Sequence, residues 1–204
     1  MPRQSIQNKS LSRIYGKGRG WVFTPKRFLD LGPRKSVDMA LSRLTSAGTI
    51  RRLARGLYDY PKKHPKLGLL SPSPDAIAKA LIERDEIRLQ PSGAYAMNLL
   101  GLSQQVPAHI VYLTDAITRT VQVGNQKIHL VRSSPRMMTT AGTISGLVIQ
   151  ALRYMGKDKV SEQALTILRK TLSDEDKQRL RRDHIHAPTW MHPHLFSITQ
   201  DISS

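Results

Sequence analysis

The chain has 204 residues, 39% of them hydrophobic, enough for one medium domain or two small ones with ordinary packed cores. It has no cysteine, which excludes disulfides and thiolate metal sites, and no apolar run near the ~18 residues of a membrane span. The net charge of +17 points to a polyanionic partner and is unevenly spread: residues 1–66 hold 16 of the 32 lysines and arginines but 3 of the 15 acids, against 16 and 12 in residues 67–204.

The opening MPRQSIQNKS lacks the charged-then-apolar layout of a signal peptide, so the expectation is a soluble, cytoplasmic protein. Residues 3–15 place Ile6, Leu11, Ile14 and Tyr15 near one helical stripe. GKGRG (16–20) breaks that helix, and WVF (21–23) is a short strand. Thr24-Pro25 is a helix start, threonine to cap free amides and proline lacking one, and a short helix follows that buries Phe28 and ends at Gly32.

Pro33 opens a longer helix in which Val37, Ala40, Leu41 and Leu44 share one face, with Gly48 as its stop. TIRRLARGLYDYP (49–61) is then a two-stranded hairpin turning at Arg55-Gly56, with Ile50 and Leu53 pointing one way and Arg51 the other. Helix, strand, short helix, longer helix and hairpin make the order of a winged helix-turn-helix, here over residues 1–62.

Residues 63–74, rich in proline and lysine, form a linker or strap. Ser73-Pro74-Asp75 caps the next helix, and residues 75–204 make a second domain. IRLQP is a short strand, SGAYAMNLLGL a short helix, and residues 109–115, 119–124 and 126–132 are strands, the last two joined at Gly124-Asn125. Residues 143–155 and 161–171 have helical periodicity, and Ser173 with Asp176 is a capping box for a helix near 174–184. The expected fold class is α+β: a winged helix-turn-helix followed by a mixed α/β domain with a helical end.

In a helix-turn-helix the second helix enters the major groove. Opposite its core face the longer helix carries Lys35, Met39, Ser42 and Ser46, flanked by Asp38 and Arg43, and Arg34 lies in its first turn, where free amides suit a phosphate. Arg51, Arg52 and Arg55 on the wing can clamp a phosphate backbone, and Lys26 and Arg27 begin the preceding helix near the same path. The DNA-facing set is therefore Lys26, Arg27, Arg34, Lys35, Ser42, Arg43, Arg51, Arg52 and Arg55.

Catalytic motifs are absent: there is no G-x-S-x-G, no H-E-x-x-H and no phosphate-binding glycine loop. Asp174, Glu175 and Asp176 are explained as first-turn acids of a helix. The histidines of HIHAPTWMHPH (184–194) have the donor chemistry for a metal, but the two prolines suggest an irregular surface or interfacial tail anchored by Trp190. No enzyme, no cofactor and no metal are expected.

The run VDMALSRLTSAGTIRRLARGLYDYP, preceded by GKGRGWVFTPKRFLDLG, resembles the N-terminal winged helix of AbiEi-like antitoxins of bacterial type IV toxin–antitoxin and abortive-infection systems, in particular their shorter, DUF6088-like relatives. SGAYAMNLLGLSQQVPAHIVYLTD followed by VGNQKIHLVRSS is similar to the strand-rich antitoxin domain, so the resemblance covers roughly residues 3–135. It implies a winged helix that binds operator DNA and represses its own operon. It implies a C-terminal domain that counters a nucleotidyltransferase-like toxin, usually without a tight complex. No antitoxin residue is assigned. Two other functions share the basic N-terminal domain: a plain regulator whose second domain senses a ligand or dimerises, and an RNA-binding protein, against which the 5% aromatic content weighs weakly.

Overall fold

The computed structural model describes residues 5–200, so the first two residues of the expected opening helix lie outside the described residues. The protein is a mixed α+β chain that divides into two compact units. One runs to Ile87 and takes in Gln122–Gln126; the other comprises Arg88–Val121 and the chain from Lys127 on. Among the described residues no helix is long and apolar enough to cross a membrane.

In the first unit, helix α1 (Ile6–Lys17) starts where the Ser5 hydroxyl accepts from the Asn8 amide. Strand β1 (Val22–Phe23) leads into a 3-10 helix, Pro25–Leu31, then helix α2 (Arg34–Ser46) and the hairpin of β2 (Arg51–Ala54) and β3 (Leu57–Asp59). These follow the sequence expectation with two differences. The short helix is 3-10, and Thr24 does not cap it: its hydroxyl donates to the Glu83 carboxylate at 3.3 Å. The three strands form one antiparallel sheet in the order β1-β3-β2. The core beneath it is Ile14, Phe23, Phe28, Val37, Leu41, Leu44 and Ile50, with the rings of Trp21 and Tyr58 against Phe23.

The expected boundary at residue 62 is corrected. Residues 61–74 are not a free linker: β4 (Lys63–His64) and β5 (Gly68–Leu69) pair in an exposed hairpin, tied back by the Arg51 guanidinium to the Leu70 carbonyl. Helix α3 (Pro74–Asp85), capped by Ser73 as expected, packs against β1 and buries Ile77 and Leu81 completely. It belongs to the first unit because β1 and the 3-10 helix offer it apolar surface and cations that residues 1–62 leave uncovered.

Apart from Gln122, Val123 and Gln126, at the turn between the sheet's last two strands, the second unit holds a four-stranded sheet, together with a helical layer. Strands β6 (Leu89–Pro91), β7 (Ile110–Thr114), β8 (Arg119–Val123) and β9 (Gln126–Arg132) lie in the order β6-β7-β9-β8. β7 is antiparallel to β6 and parallel to β9, Ile110 facing Ile128. Alternate residues Ile110, Tyr112, Ile128 and Leu130 point into the core, the period-two pattern of a sheet covered on one face. Helices α4 (Gly93–Leu99), α5 (Ile144–Met155), α6 (Glu162–Thr171), α7 (Asp174–Asp183) and α8 (His192–Ile198) enclose a core of Leu100, Val148, Leu152, Leu168, Leu180 and neighbours.

The end of the chain corrects another expectation. HIHAPTWMHPH is not an irregular surface tail; two short 3-10 turns lead into α8, whose Leu195 and Ile198, with Met191, are buried among α5, α6 and α7. Pro193 in the first turn of α8 costs no hydrogen bond, because an amide there has no helical acceptor.

Candidate nucleic-acid interface

Helix α2 buries Val37, Ala40, Leu41 and Leu44, so the 3.6-residue period turns Lys35, Met39, Ser42, Arg43 and Ser46 to solvent. Met39 is half exposed, a large apolar group at the centre of a polar face. Lys35 and Arg43 have no ion-pair partner among the described residues. Arg34, in the first turn, makes an i,i+4 fork to Asp38, with Nε 3.0 and 2.9 Å from the two carboxylate oxygens.

The hairpin beside α2 turns at Arg55-Gly56, with Gly56 at φ 67°, a left-handed conformation that a side chain would strain. Register shifts between Arg52 and Ala54, so Leu53 bulges and is only partly buried. Arg52 and Arg55 project into solvent with no acidic partner among the described residues.

Arg51 is different. It sits opposite Asp59 in the β2–β3 register and grips it twice, Nε at 3.1 Å and Nη2 at 2.7 Å, while Nη2 also donates to the Leu70 carbonyl at 2.9 Å. Asp59 is 1% exposed. A buried carboxylate without this partner would be strongly unfavourable, so Arg51, expected on the DNA-facing wing, acts as a clasp within the fold.

Lys26 and Arg27 are also engaged. Their ammonium and guanidinium groups lie 2.7 Å from Glu86 and Glu83 of the α3 region. The Lys26 hydrogen bond, with its charge, holds the Glu86 carboxyl below the ordinary glutamate range. Arg13 of α1 plays a similar part on Asp30, at 2.7 and 2.6 Å, and also donates to the Arg27 carbonyl. That hydrogen bond, together with the opposite charge, keeps Asp30 below the ordinary aspartate range.

What these placements leave is a hollow of about 610 Å³ between the N-terminal turn of α2 and the hairpin. Arg34, Arg52, Arg55 and Arg84 line it, with Tyr58, Pro25 and Gly56, and Asp38 is its one acidic wall. Arg84 comes from α3, where Nη1 donates to the Arg55 carbonyl at 3.0 Å and so fixes the hairpin tip. Arg84 is also held by Asp85, at 2.7 and 3.0 Å, as Arg34 is held by Asp38, so the guanidiniums whose donor forks remain open to phosphodiester oxygens are those of Arg52 and Arg55. The sequence reading missed Arg84, and nothing local marks it: its role comes from α3 folding back on the hairpin.

A family model, that of a family of unknown function (DUF6088), matches residues 9–180, well over half of the chain. The chain belongs to the DUF6088 family. No curated protein matches this DUF6088 chain. Among solved structures, it is similar to the RV2827C protein from Mycobacterium tuberculosis at 16% identity, over 97% of this chain and 78% of that one, with a TM-score of 0.43.

Elsewhere in the DUF6088 chain, no group of three or more histidines, aspartates or glutamates is placed to hold a metal among the described residues. Three of the four histidines of residues 184–194 pack against other rings: His184 and His192 meet edge to face at 5.2 Å, and His194 lies against Trp190 at 6.3 Å. Tyr58 and Tyr60 are partly buried, against Phe23 and Tyr15 respectively. Asp174, Glu175 and Asp176 are the first turn of α7, and Ser173 with Asp176 forms the expected capping box.

Proposed function

We propose that the first unit is a winged helix that binds duplex DNA, with α2 in the major groove and the β2–β3 hairpin as the wing on the phosphate backbone. The carrying observation is the hollow where Arg52 and Arg55, with no acidic partner among the described residues, stand beside Arg34 and Arg84, each of which an aspartate holds. The sheet order β1-β3-β2 around α1 and α2 supports the same reading, as do the exposed Lys35, Ser42 and Arg43. The DNA-facing set then becomes Arg34, Lys35, Ser42, Arg43, Arg52 and Arg55, with Arg84, held by Asp85 and the Arg55 carbonyl, fixing the hairpin tip. Lys26, Arg27 and Arg51 serve the fold.

We further propose, on the resemblance of residues 3–135, that the protein is a cytoplasmic antitoxin and autorepressor. It would act by binding and not by catalysis, and its second unit would counter a nucleotidyltransferase-like toxin. Fluorescence anisotropy of the full chain on its own upstream DNA and on scrambled DNA, across a salt series, tests the first step. A preference for the upstream DNA that survives physiological salt supports operator binding. Equal, steeply salt-dependent affinity for both leaves a non-specific polycation and overturns it. Co-expression with a neighbouring nucleotidyltransferase-like gene tests the second step, through rescue of growth.

A further inference from the structure

A second cationic hollow lies wholly within the second unit, between the turn around residues 134–142, helix α5 and the stretch around 186–189. Its volume is about 340 Å³, the lower end of the range of small-ligand sites. Arg136 enters from the turn, Arg153 from α5 and His186 from the 3-10 turn after α7. Its lining includes no acid. None of these three side chains has a hydrogen-bond or ion-pair partner among the described residues, although many arginines of this chain do have one.

The rest of the lining divides by chemistry. Met137, Ile149 and Pro188 give an apolar wall, while the buried Gln150 and Thr140 add polar groups. The frame is rigid. Met138, next to the lining, is fully buried, and its carbonyl accepts from Arg88 at 3.2 Å. The buried Gln90 accepts from the Gly142 amide at 3.0 Å, and the Thr143 hydroxyl donates to the Thr140 carbonyl at 2.8 Å. Gly146 of α5 lets this turn close in, since a Cβ there would stand 2.3 Å from the Thr140 oxygen and 2.5 Å from Gln90 Oε1. The backbone that carries Arg136 is thus held in place beside α5 before any ligand arrives, which lowers the ordering cost of binding.

We propose that this hollow binds a small organic phosphate, the phosphate on Arg136, Arg153 and His186 and the organic body against Met137, Ile149 and Pro188. Two guanidiniums facing one cavity without a carboxylate repel each other, and a bound dianion relieves that repulsion while filling their donor forks. The proposal is independent of the DNA-binding reading, since the hollow shares no residue with the first unit. It gives the second unit a ligand of its own.

The test is isothermal titration calorimetry of the full chain with adenosine 5′-monophosphate, ribose 5-phosphate and, as the phosphate-free probe, adenosine. Arg136→Gln and Arg153→Gln are titrated beside the wild type. Both side chains are exposed, and melting curves without ligand check that the folds are equal. Saturable binding of at least one phosphate, with adenosine much weaker and each variant reducing affinity about tenfold or more, supports the site. No binding of either phosphate at millimolar concentration overturns it, and so does binding that both variants leave unchanged. DNA affinity is measured on the same variants. A loss of DNA affinity without any small-phosphate binding would assign the hollow to nucleic-acid backbone and overturn the small-ligand proposal.

Discussion

The 3-10 helix and the hairpin tip of the first unit each carry two basic side chains and differ in what surrounds them. Lys26 and Arg27 each meet a glutamate from the α3 region, while Arg52 and Arg55 meet none among the described residues. A count of basic residues measures how much positive charge a segment holds, and the pairing decides how much remains for a partner. Extending the basic segment from residue 66 to Ile87 adds Lys79 and Arg84 but also Asp75, Glu83, Asp85 and Glu86. Of the added acids, Glu83 and Glu86 meet Arg27 and Lys26 and Asp85 meets Arg84, while Arg52 and Arg55 keep their charge unpaired among the described residues.

That contrast can be broken in order of effect. Replacing Arg51 by alanine leaves the buried Asp59 carboxylate unpaired and should cost about 3 kcal/mol of stability, read by urea denaturation. Arg52→Ala should cost almost nothing in the same assay. Equal losses would mean that the clasp is not what distinguishes the two arginines. Next, Arg52→Ala with Arg55→Ala should lower DNA affinity about tenfold at physiological salt and reduce the log–log salt slope by about 2. Lys26→Ala with Arg27→Ala should change the slope by less than half as much.

A finer test reverses the pairing. Glu83→Gln with Glu86→Gln frees Lys26 and Arg27, and DNA affinity should rise by a few-fold, with a steeper salt slope. No change would show that these two cations lie away from the DNA path altogether. The smallest effect expected is on stability and pH. The Arg88 hydrogen bonds hold the Asp115 carboxyl below the ordinary aspartate range, Arg88 Nε lying 2.9 Å from it. The stabilisation is fully present above the ordinary aspartate range and is lost as pH falls through the depressed value. Asp115→Asn should therefore cost at most about 1 kcal/mol at neutral pH, the pair being partly exposed. The difference from wild type in thermal melting should vanish in strong acid.

Much of the architecture was legible because local signals agreed. Val37, Ala40, Leu41 and Leu44 announce α2, Ser73-Pro74 and Ser173 with Asp176 announce helix starts, and Arg55-Gly56 announces a turn. Alternation likewise placed β7, β8 and β9. What escaped was long-range. The parallel pairing of β7 with β9 leaves no trace in either strand, and the α3 acids lie almost 60 positions from the cations they meet, a span periodicity does not reach. Arg51 and Arg52 are neighbours of the same type, and only the cross-strand Asp59 separates a clasp from a free guanidinium. At the chain end, prolines suggested disorder of form, yet Pro193 sits where a helix tolerates it and Leu195 and Ile198 keep helical spacing.

The tie from Arg51 to the Leu70 carbonyl also dictates how the chain can be cut. A fragment ending at residue 62 would lose that acceptor, the two glutamates that hold Lys26 and Arg27, and Arg84 at the hairpin tip. It would also bare the surface of β1 that α3 covers. Such a piece would be more basic, less stable and stickier than the same residues in the whole protein. Its affinity for any polyanion would then overstate, and its specificity understate, what the intact unit does. Truncation after Ile87 keeps these ties.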